Sequence, residues 1–243
     1  MSDRTLNALG QPIGLPLPNW TPPERPPRTT LIGRYCRVEP LDVDRHAAQL
    51  FAANSEDVER RNWTYLPYGP FDTYDDYVAW MKRFCFTDAH LFYAIIDLKT
   101  VAAVGVASYL RIDPAAGSIE VGSINFSPRL QRTPVATEAM YLMMQHVFTL
   151  GYRRYEWKCD SLNAKSRAAA QRFGFSFEGI FRQATVYKGR NRDTAWFAVI
   201  DSEWPQVEVA YLKWLDLANF DADGQQRVSL SSLTAPILKM RDS

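Results

Sequence analysis

Residues 127 to 140, SPRLQRTPVATEAM, join a short polar loop to a helix start, a combination able to hold an anion. A helix opens with backbone N–H groups that lack an intrahelical acceptor and with the positive end of its dipole, so a phosphate fits there if the main chain is unobstructed. Glycine is the usual source of that clearance, yet Pro134 stands at this point. Proline at the first helical position gives up a donor that is orphaned anyway, and its φ of roughly −65° presets the helix. Thr133 then reads as the N-cap. Val135, Ala136 and Thr137 would offer N–H groups, with Gln131, Arg132 and Thr133 contributing from the approach. An ordinary Thr-Pro helix start without a ligand fits the same residues.

The elements that must position this loop are legible on either side. SIEVGSINF (118–126) is strand-like, and its alternation puts Glu120, Gly122, Ile124 and Phe126 on one face, with Ile119, Val121, Ser123 and Asn125 on the other. After the loop the period changes: Val135, Ala139, Leu142, Met143, Val147 and Leu150 fall on one side of a helix closed by Gly151. YRRYEWKC returns as a strand, and NAKSRAAAQRFGF is a helix with Asn163 as N-cap and Gly174 just past its end.

Upstream, LIGRYCRVEPL reads as a first strand, DVDRHAAQLFAAN and DTYDDYVAWMKRF as helices, and LFYAIIDL and VAAVGVASYLRI as strands. Downstream, FSFEGIFRQATVYKG and DTAWFAVID are strands joined by a GRNR turn, followed by the amphipathic helix WPQVEVAYLKWL with Pro205 in its first turn. This order predicts an α/β (α+β) fold in which a mixed sheet carries helices on both faces. Residues 11 to 28 hold seven of the 15 prolines, so 1–30 is a stiff arm, which Trp20 favours packing down. The core then spans 31–216, with 217–243 as a tail; arm and tail are candidates for contacts in a homodimer.

Composition narrows the function further. Lys+Arg 28 against Asp+Glu 27 gives a net charge of +1, which offers no field for gripping nucleic acid or an anionic membrane. Cys36, Cys85 and Cys159 are scattered, so neither a disulfide framework nor a zinc site is expected and a reducing, cytoplasmic setting fits. No stretch approaches the roughly 20 apolar residues that span a bilayer, and the N-terminus reads as unprocessed. His46, His90 and His146 lack metal-ligand spacing, and no G-x-S-x-G or GKS/GKT occurs.

Taken together, the elements and motifs resemble the GNAT superfamily of acetyl-CoA-dependent N-acetyltransferases over about residues 31 to 203. The family's loop pattern V-x-P-x-x-(Q/R)-x-x-G-x-(G/A) is met by Phe126, Pro128, Gln131 and Ala136, and its N-x-x-S/A helix ending in GF by Asn163, Ser166, Gly174 and Phe175. The serine variant is most similar to the RimJ/RimL-type subgroup, which acetylates the N-terminal amine of ribosomal proteins. The resemblance implies a mostly antiparallel sheet of six to seven strands. Two departures stand out: Pro134 replaces the first loop glycine, and Ala170 occupies the place of the tyrosine that protonates the departing thiolate in many members.

What the resemblance implies is attack of a primary amine, on a protein N-terminus or an aminoacyl-type small molecule, on the acetyl thioester of acetyl-CoA as co-substrate, with no metal and no covalent enzyme intermediate. Such a reaction needs a base and an oxyanion donor; the thiolate, with a thiol pKa of about 8.5, leaves near neutral pH without a dedicated acid. Glu120 is the candidate base if burial raises its carboxyl; as a strand-edge carboxylate paired with an arginine it would be structural. The coenzyme's pantetheine arm would pair with main-chain groups of Ile124 and Phe126. Opposite them Asn163 and Ser166 would contact the coenzyme, Ser166 being also a candidate catalytic residue, although Asn163 serves equally as an N-cap.

Ten basic residues against three acidic ones between Gly151 and Arg192 would suit the coenzyme's 3′-phosphate, an anionic acceptor or a solvated face. Tyr187, Asp193 and Trp196 of the last hairpin, and Trp63, Tyr65 and Tyr68 of RNWTYLPYGPF, would wall the acceptor site or fill core. A coenzyme-binding sensor that has lost catalysis is the alternative raised by Ala170, and an unrelated α/β binding module is a third.

Overall fold

The computed structural model describes residues 5–242. In the proline-rich arm β1 (Thr5–Leu6) and β2 (Pro12–Ile13) pair as a small hairpin that the sequence does not announce. From Trp20 to Pro27 the arm lies against the core, whereas residues 14–19 are exposed. Pro23 and Pro26 are buried, the carbonyls of Glu24 and Pro27 accept hydrogen bonds from the Tyr152 and Tyr93 hydroxyls (3.1 and 3.2 Å), and Arg153 sits over the Trp20 ring.

The core comprises β3 (Leu31–Ile32), β4 (Cys36–Pro40), α1 (Val43–Ser55), α2 (Tyr74–Phe84), β5 (His90–Asp97), β6 (Ala102–Asp113), β7 (Ser118–Phe126), α3 (Pro134–Thr149), β8 (Arg154–Asp160), α4 (Ala164–Arg172), β9 (Ser176–Tyr187), β10 (Arg190–Ile200), α5 (Trp204–Leu215) and α6 (Leu230–Thr234). Asp42, Thr73, Thr133 and Asn163 each start a helix by accepting the N–H three residues on, from Arg45, Asp76, Ala136 and Ser166. Gly174, at φ +91°, stops α4 in a conformation that disfavours any Cβ.

Eight strands form one sheet in the order β3-β4-β5-β6-β7-β8-β10-β9, one more than the upper expectation. The extra strand arises because LIGRYCRVEPL is broken at residues 33–35. There the buried Glu138 carboxylate of α3 accepts from the amides of Arg34, Tyr35 and Cys36 at 2.8, 2.6 and 2.8 Å and folds the chain into a tight turn. The last hairpin also differs from expectation: β9 and β10 run on to a turn at Lys188–Gly189, absorbing most of GRNR into strand.

Two features of β7 set the geometry at its C-terminal end. It pairs with β8 in parallel from Ser118↔Arg154 only to Val121↔Trp157, and beyond that point the two strands part. Ser123, at φ +51°, forms a bulge, since the β6 register passes from Ser108↔Gly122 to Val106↔Asn125 and leaves Ser123 and Ile124 opposite Ala107. The strict alternation expected over 118–126 is therefore corrected. Ile124 and Phe126 pack with Ile119 and Val121 against α3, while Glu120 shares neither their face nor their core.

Helices α3 and α5 cover one sheet face, over Val38, Tyr93, Tyr109, Ile119, Tyr155, Trp157 and Phe197. Helices α1 and α2 cover the other through a second core that takes strand residues from β5 and β6 but none from β8, β9 or β10. On that half of the face lie the charged side chains of Glu120, Glu156 and Lys158 instead. The tail runs along the start of β9, where Phe177 N–H donates to the Met240 carbonyl and Lys239 N–H to Ser176 Oγ (3.1 and 2.9 Å), and Asp242 pairs with Arg167 of α4.

Candidate functional site

The loop after β7 is drawn tight before α3 begins. Ser127 Oγ donates to the Val104 carbonyl (2.5 Å), and the amides of Leu130 and Gln131 both return to the Ser127 carbonyl at 2.9 and 3.1 Å. Arg132 then takes a left-handed φ of +62° without being glycine, a conformation that turns the main chain toward the helix start. Pro134 is the first residue of α3, as its fixed φ favours. Thr133 Oγ1 accepts from Ala136 N–H at 3.2 Å and donates to the Leu130 carbonyl at 2.7 Å. The amide of Ala136, expected to be open, is thus closed by the cap. Among the described residues nothing accepts from the amides of Arg132, Thr133 and Val135, which remain open at the positive end of a 16-residue helix.

Beside that helix start lies the gap between the parted strands. Ile124, Asn125 and Phe126 of β7 and Lys158, Cys159 and Asp160 of β8 lie beyond the last shared pair. The Phe126 carbonyl, expected to meet an extended ligand, is instead occupied by Gln131 Nε2 (2.8 Å) and Asn62 Nδ2 (3.2 Å). Gln131 also reaches Asn62 Oδ1 at 3.0 Å, so its amide ties the loop to the 61–63 turn. On the far wall Asn163 Oδ1 caps α4 through Ser166 N–H (3.1 Å), and Ser166 Oγ accepts from Trp157 Nε1 (3.0 Å). Of the two readings of Asn163, the N-cap is the one seen here. Ala170 is fully buried.

The opposite side of the sheet carries Glu120. Its carboxylate is 3% exposed and is held by Arg111 Nη1 (2.8 Å) and Lys158 Nζ (2.9 Å). Burial pushes its pKa up, and the two cations oppose that without cancelling it, so Glu120 is at once the raised carboxyl and the arginine-paired carboxylate of the two sequence readings. Lys158 also contacts Glu156 at 2.6 Å and lies over the Trp196 ring, 3.7 Å from its centre. Arg154 continues the ladder to Glu156 and Glu178. Glu156 is likewise buried, yet Lys158 and Arg154 hold it below the usual carboxylate range. Arg111, Glu156 and Lys158 are partners that sequence reasoning missed. The signal for Glu156 and Lys158 is the period of two in RYEWKC, legible only once Glu120↔Glu156 fixes the register.

Over the open end of the gap, the aromatic loop meets the last hairpin. Tyr65 donates from its hydroxyl to the Leu162 carbonyl (3.1 Å), Lys188 Nζ to the Trp63 carbonyl (2.8 Å), and Arg190 Nη2 to the Thr64 carbonyl (3.1 Å). The rings of Trp63 and Tyr68 pack into the second core, Trp63 on Phe71 and Tyr68 on Trp80 and Phe84, which leaves Tyr65 as the one of the three whose polar end spans the mouth. Tyr187 donates to Asp160 Oδ2 (2.8 Å), and burial together with that carboxylate pushes its hydroxyl up to about 12. Asp160, unforeseen, is 5% exposed. Asp193 is drawn into its own hairpin, accepting from Gln183 N–H (2.7 Å) and Asn191 Nδ2 (2.9 Å), which hold its pKa down. Trp196 stacks on Phe181 with ring centres 4.4 Å apart.

Open amides at a helix start, next to a gap between two parallel strands, fit an extended ligand with a diphosphate. Among the described residues no His, Cys, Asp and Glu side chains gather as a metal site would need, and no helix is long and apolar enough to cross a membrane.

Comparison with known proteins accords with this geometry. The model of the acetyltransferase (GNAT) domain matches residues 37–176. A GCN5-related N-acetyltransferase from Brucella melitensis is 49% identical, with a TM-score of 0.88 over 90% of this chain and 100% of that one. A "probable acetyltransferase" of the GNAT family from Chromobacterium violaceum is 42% identical, with a TM-score of 0.75 over 80% and 98%. The microcin C7 self-immunity acetyltransferase MccE, solved in complex with acetyl-CoA and AMP, shares the fold at 21% identity, with a TM-score of 0.60 over 69% and 93%. No curated protein matches the chain. By the span of the domain match and the identity to the Brucella and Chromobacterium proteins, the chain belongs to the GNAT acetyltransferase family, whose chemistry is acetyl transfer from acetyl-CoA.

Proposed function

We propose that the protein transfers an acetyl group from acetyl-CoA to a primary amine by direct attack, the acceptor being a protein N-terminus or an aminoacyl-type small molecule. The observation that carries this reading is the parting of β7 and β8 after Val121↔Trp157, with open amides at one end of the gap and a buried carboxylate, Glu120, on the other side of the sheet. The amides of Arg132, Thr133 and Val135 hold the coenzyme's diphosphate, and the gap takes its extended arm.

Glu120, made more basic by burial, receives the ammonium proton, directly or through one water, and Lys158 and Arg111 steady the carboxylate between turnovers. Ser166 lies where the departing sulfur is released, next to Trp157, and supplies the hydroxyl that Ala170 cannot. The Tyr65 and Lys188 contacts close the acceptor side against water. Asn163 and Ser166 support the ribosomal-protein-type subgroup and so a protein N-terminus as acceptor. MccE, which carries acetyl-CoA in its own structure, supports the choice of coenzyme.

The test is thiol release from acetyl-CoA with peptides bearing a free N-terminus, the same peptides blocked at that amine, and aminoacyl amides. Release that requires a free amine supports the proposal, and the responding class names the acceptor. Coenzyme binding without amine-dependent release from any of them overturns it.

A further inference from the structure

Arg172 ends α4 on the same sheet face as α3, and its guanidinium is placed unusually for a half-buried cation. Among the described residues no carboxylate pairs with it, and its hydrogen bond runs from Nη2 to Thr137 Oγ1 at 2.9 Å. Its other neighbours are the rings of Phe173 and Trp214, 5.0 and 5.4 Å from the guanidinium carbon, which shape a slot for the flat group without neutralising it. Burial works against its charge. Its remaining nitrogens are not among the buried atoms that lack a partner, so that edge of the fork reaches the surface.

Thr137 is in the first turn of α3, one turn beyond the open amides, and helical side chains lean back toward the N-terminus. Its hydroxyl therefore holds the guanidinium near the mouth of the anion cradle. Arg167, on the same helix, is already matched by Asp242. Arg172 thus keeps a charge, at a cost in desolvation, that no carboxylate among the described residues balances, beside a site built for an anion. We infer that Arg172 is a coenzyme-phosphate ligand, completing the cradle at the start of α3 with a fork aimed at a phosphate of acetyl-CoA. This rests on the acetyl-CoA reading given above. The phosphate is either the diphosphate or the 3′-phosphate, which share the chemistry of forked recognition by arginine.

Calorimetry with coenzyme A and with 3′-dephospho-coenzyme A, on the full chain and on Arg172→Met, separates these. Methionine keeps a stem for Phe173 and Trp214 to pack on, and thermal melting reports the fold. Arg172→Met is expected to bind coenzyme A roughly 10- to 100-fold more weakly. A loss that vanishes with the dephospho ligand assigns the 3′-phosphate; an equal loss with both assigns the diphosphate. Should Arg172→Met not fold, Arg172→Lys, which keeps the charge but not the fork, is expected to bind several-fold more weakly. Wild-type affinity for both ligands in a folded variant overturns the inference and leaves the acetyl-CoA reading standing; absence of binding by the unmodified protein overturns both.

Discussion

Lys158 Nζ lies 2.9 Å from Glu120 and 2.6 Å from Glu156, one cation shared by two buried carboxylates on neighbouring parallel strands. The carboxylates respond in opposite directions: burial keeps Glu120 raised despite Arg111 and Lys158, whereas Lys158 and Arg154 hold Glu156 down against burial. As pH falls, Glu120 takes a proton first. A base must be deprotonated to work, so kcat/KM is expected to climb with pH through an acid limb lying above the ordinary glutamate value of about 4.3. Removing a neighbouring cation raises a carboxyl pKa further. Lys158→Met should therefore move that limb to higher pH, and a limb that stays put would take Lys158 out of the control of Glu120.

Glu120→Gln keeps the shape of the side chain and removes its basicity. Turnover is expected to drop by about 10²- to 10⁴-fold while acetyl-CoA affinity stays within a few-fold, because the carboxylate lies across the sheet from the anion cradle. Melting must accompany the assay, since the change leaves Arg111 and Lys158 facing a neutral group. Unchanged turnover in a folded variant would assign the proton to another group, with Asp160 beside Tyr187 as the next to test.

The elements are legible in the sequence because their signals are local. Thr133 and Asn163 cap, Gly174 stops, and the runs flanking the loop switch between periods of two and 3.6, so α3 and α4 begin at Pro134 and Ala164, where those signals put them. What the sequence hides is relational. The bulge at Ser123 reverses the faces of Ile124 and Phe126, yet serine carries no signal for a φ of +51°. Lys158 becomes a partner of Glu120 only through the β7–β8 register, and the side chain of Gln131 meets Asn62, far along the chain, only once the fold brings the two together. Trp63 and Tyr68, equally able to line a cleft or fill core, are settled toward core by Phe71, Trp80 and Phe84.

Pro134→Gly tests whether the proline merely starts the helix. Glycine restores an N–H and loses the preset φ, so coenzyme affinity should hold or improve while the protein melts slightly lower, by about 1 kcal/mol of stability. A collapse in affinity measured by calorimetry on a folded variant would mean that the proline ring itself contacts the ligand.

Glu138 is the buried acid whose loss should be felt most in stability. Its carboxylate closes the turn at residues 34–36 and joins α3 to the β3–β4 edge. Glu138→Ala leaves those amides without acceptors and is expected to cost about 3 kcal/mol, or roughly 6 to 12 °C in melting temperature for a chain of this size. A shift below about 2 °C would show that water replaces the carboxylate at that turn.

Ser166→Ala separates a chemical role from a packing one. The hydroxyl accepts from Trp157 Nε1, so its removal leaves the indole N–H without that acceptor and should alter tryptophan emission whether or not Ser166 acts in catalysis. If the hydroxyl also steadies the leaving sulfur, turnover should fall by about tenfold, a modest loss because a thiol of pKa about 8.5 departs largely as thiolate. Coenzyme affinity should change little, since the open amides proposed to hold the diphosphate belong to the loop and to α3. A change in emission with full turnover would make Ser166 a partner of Trp157 alone, and the thiolate would then leave into solvent or toward a group on the β8 side of the gap.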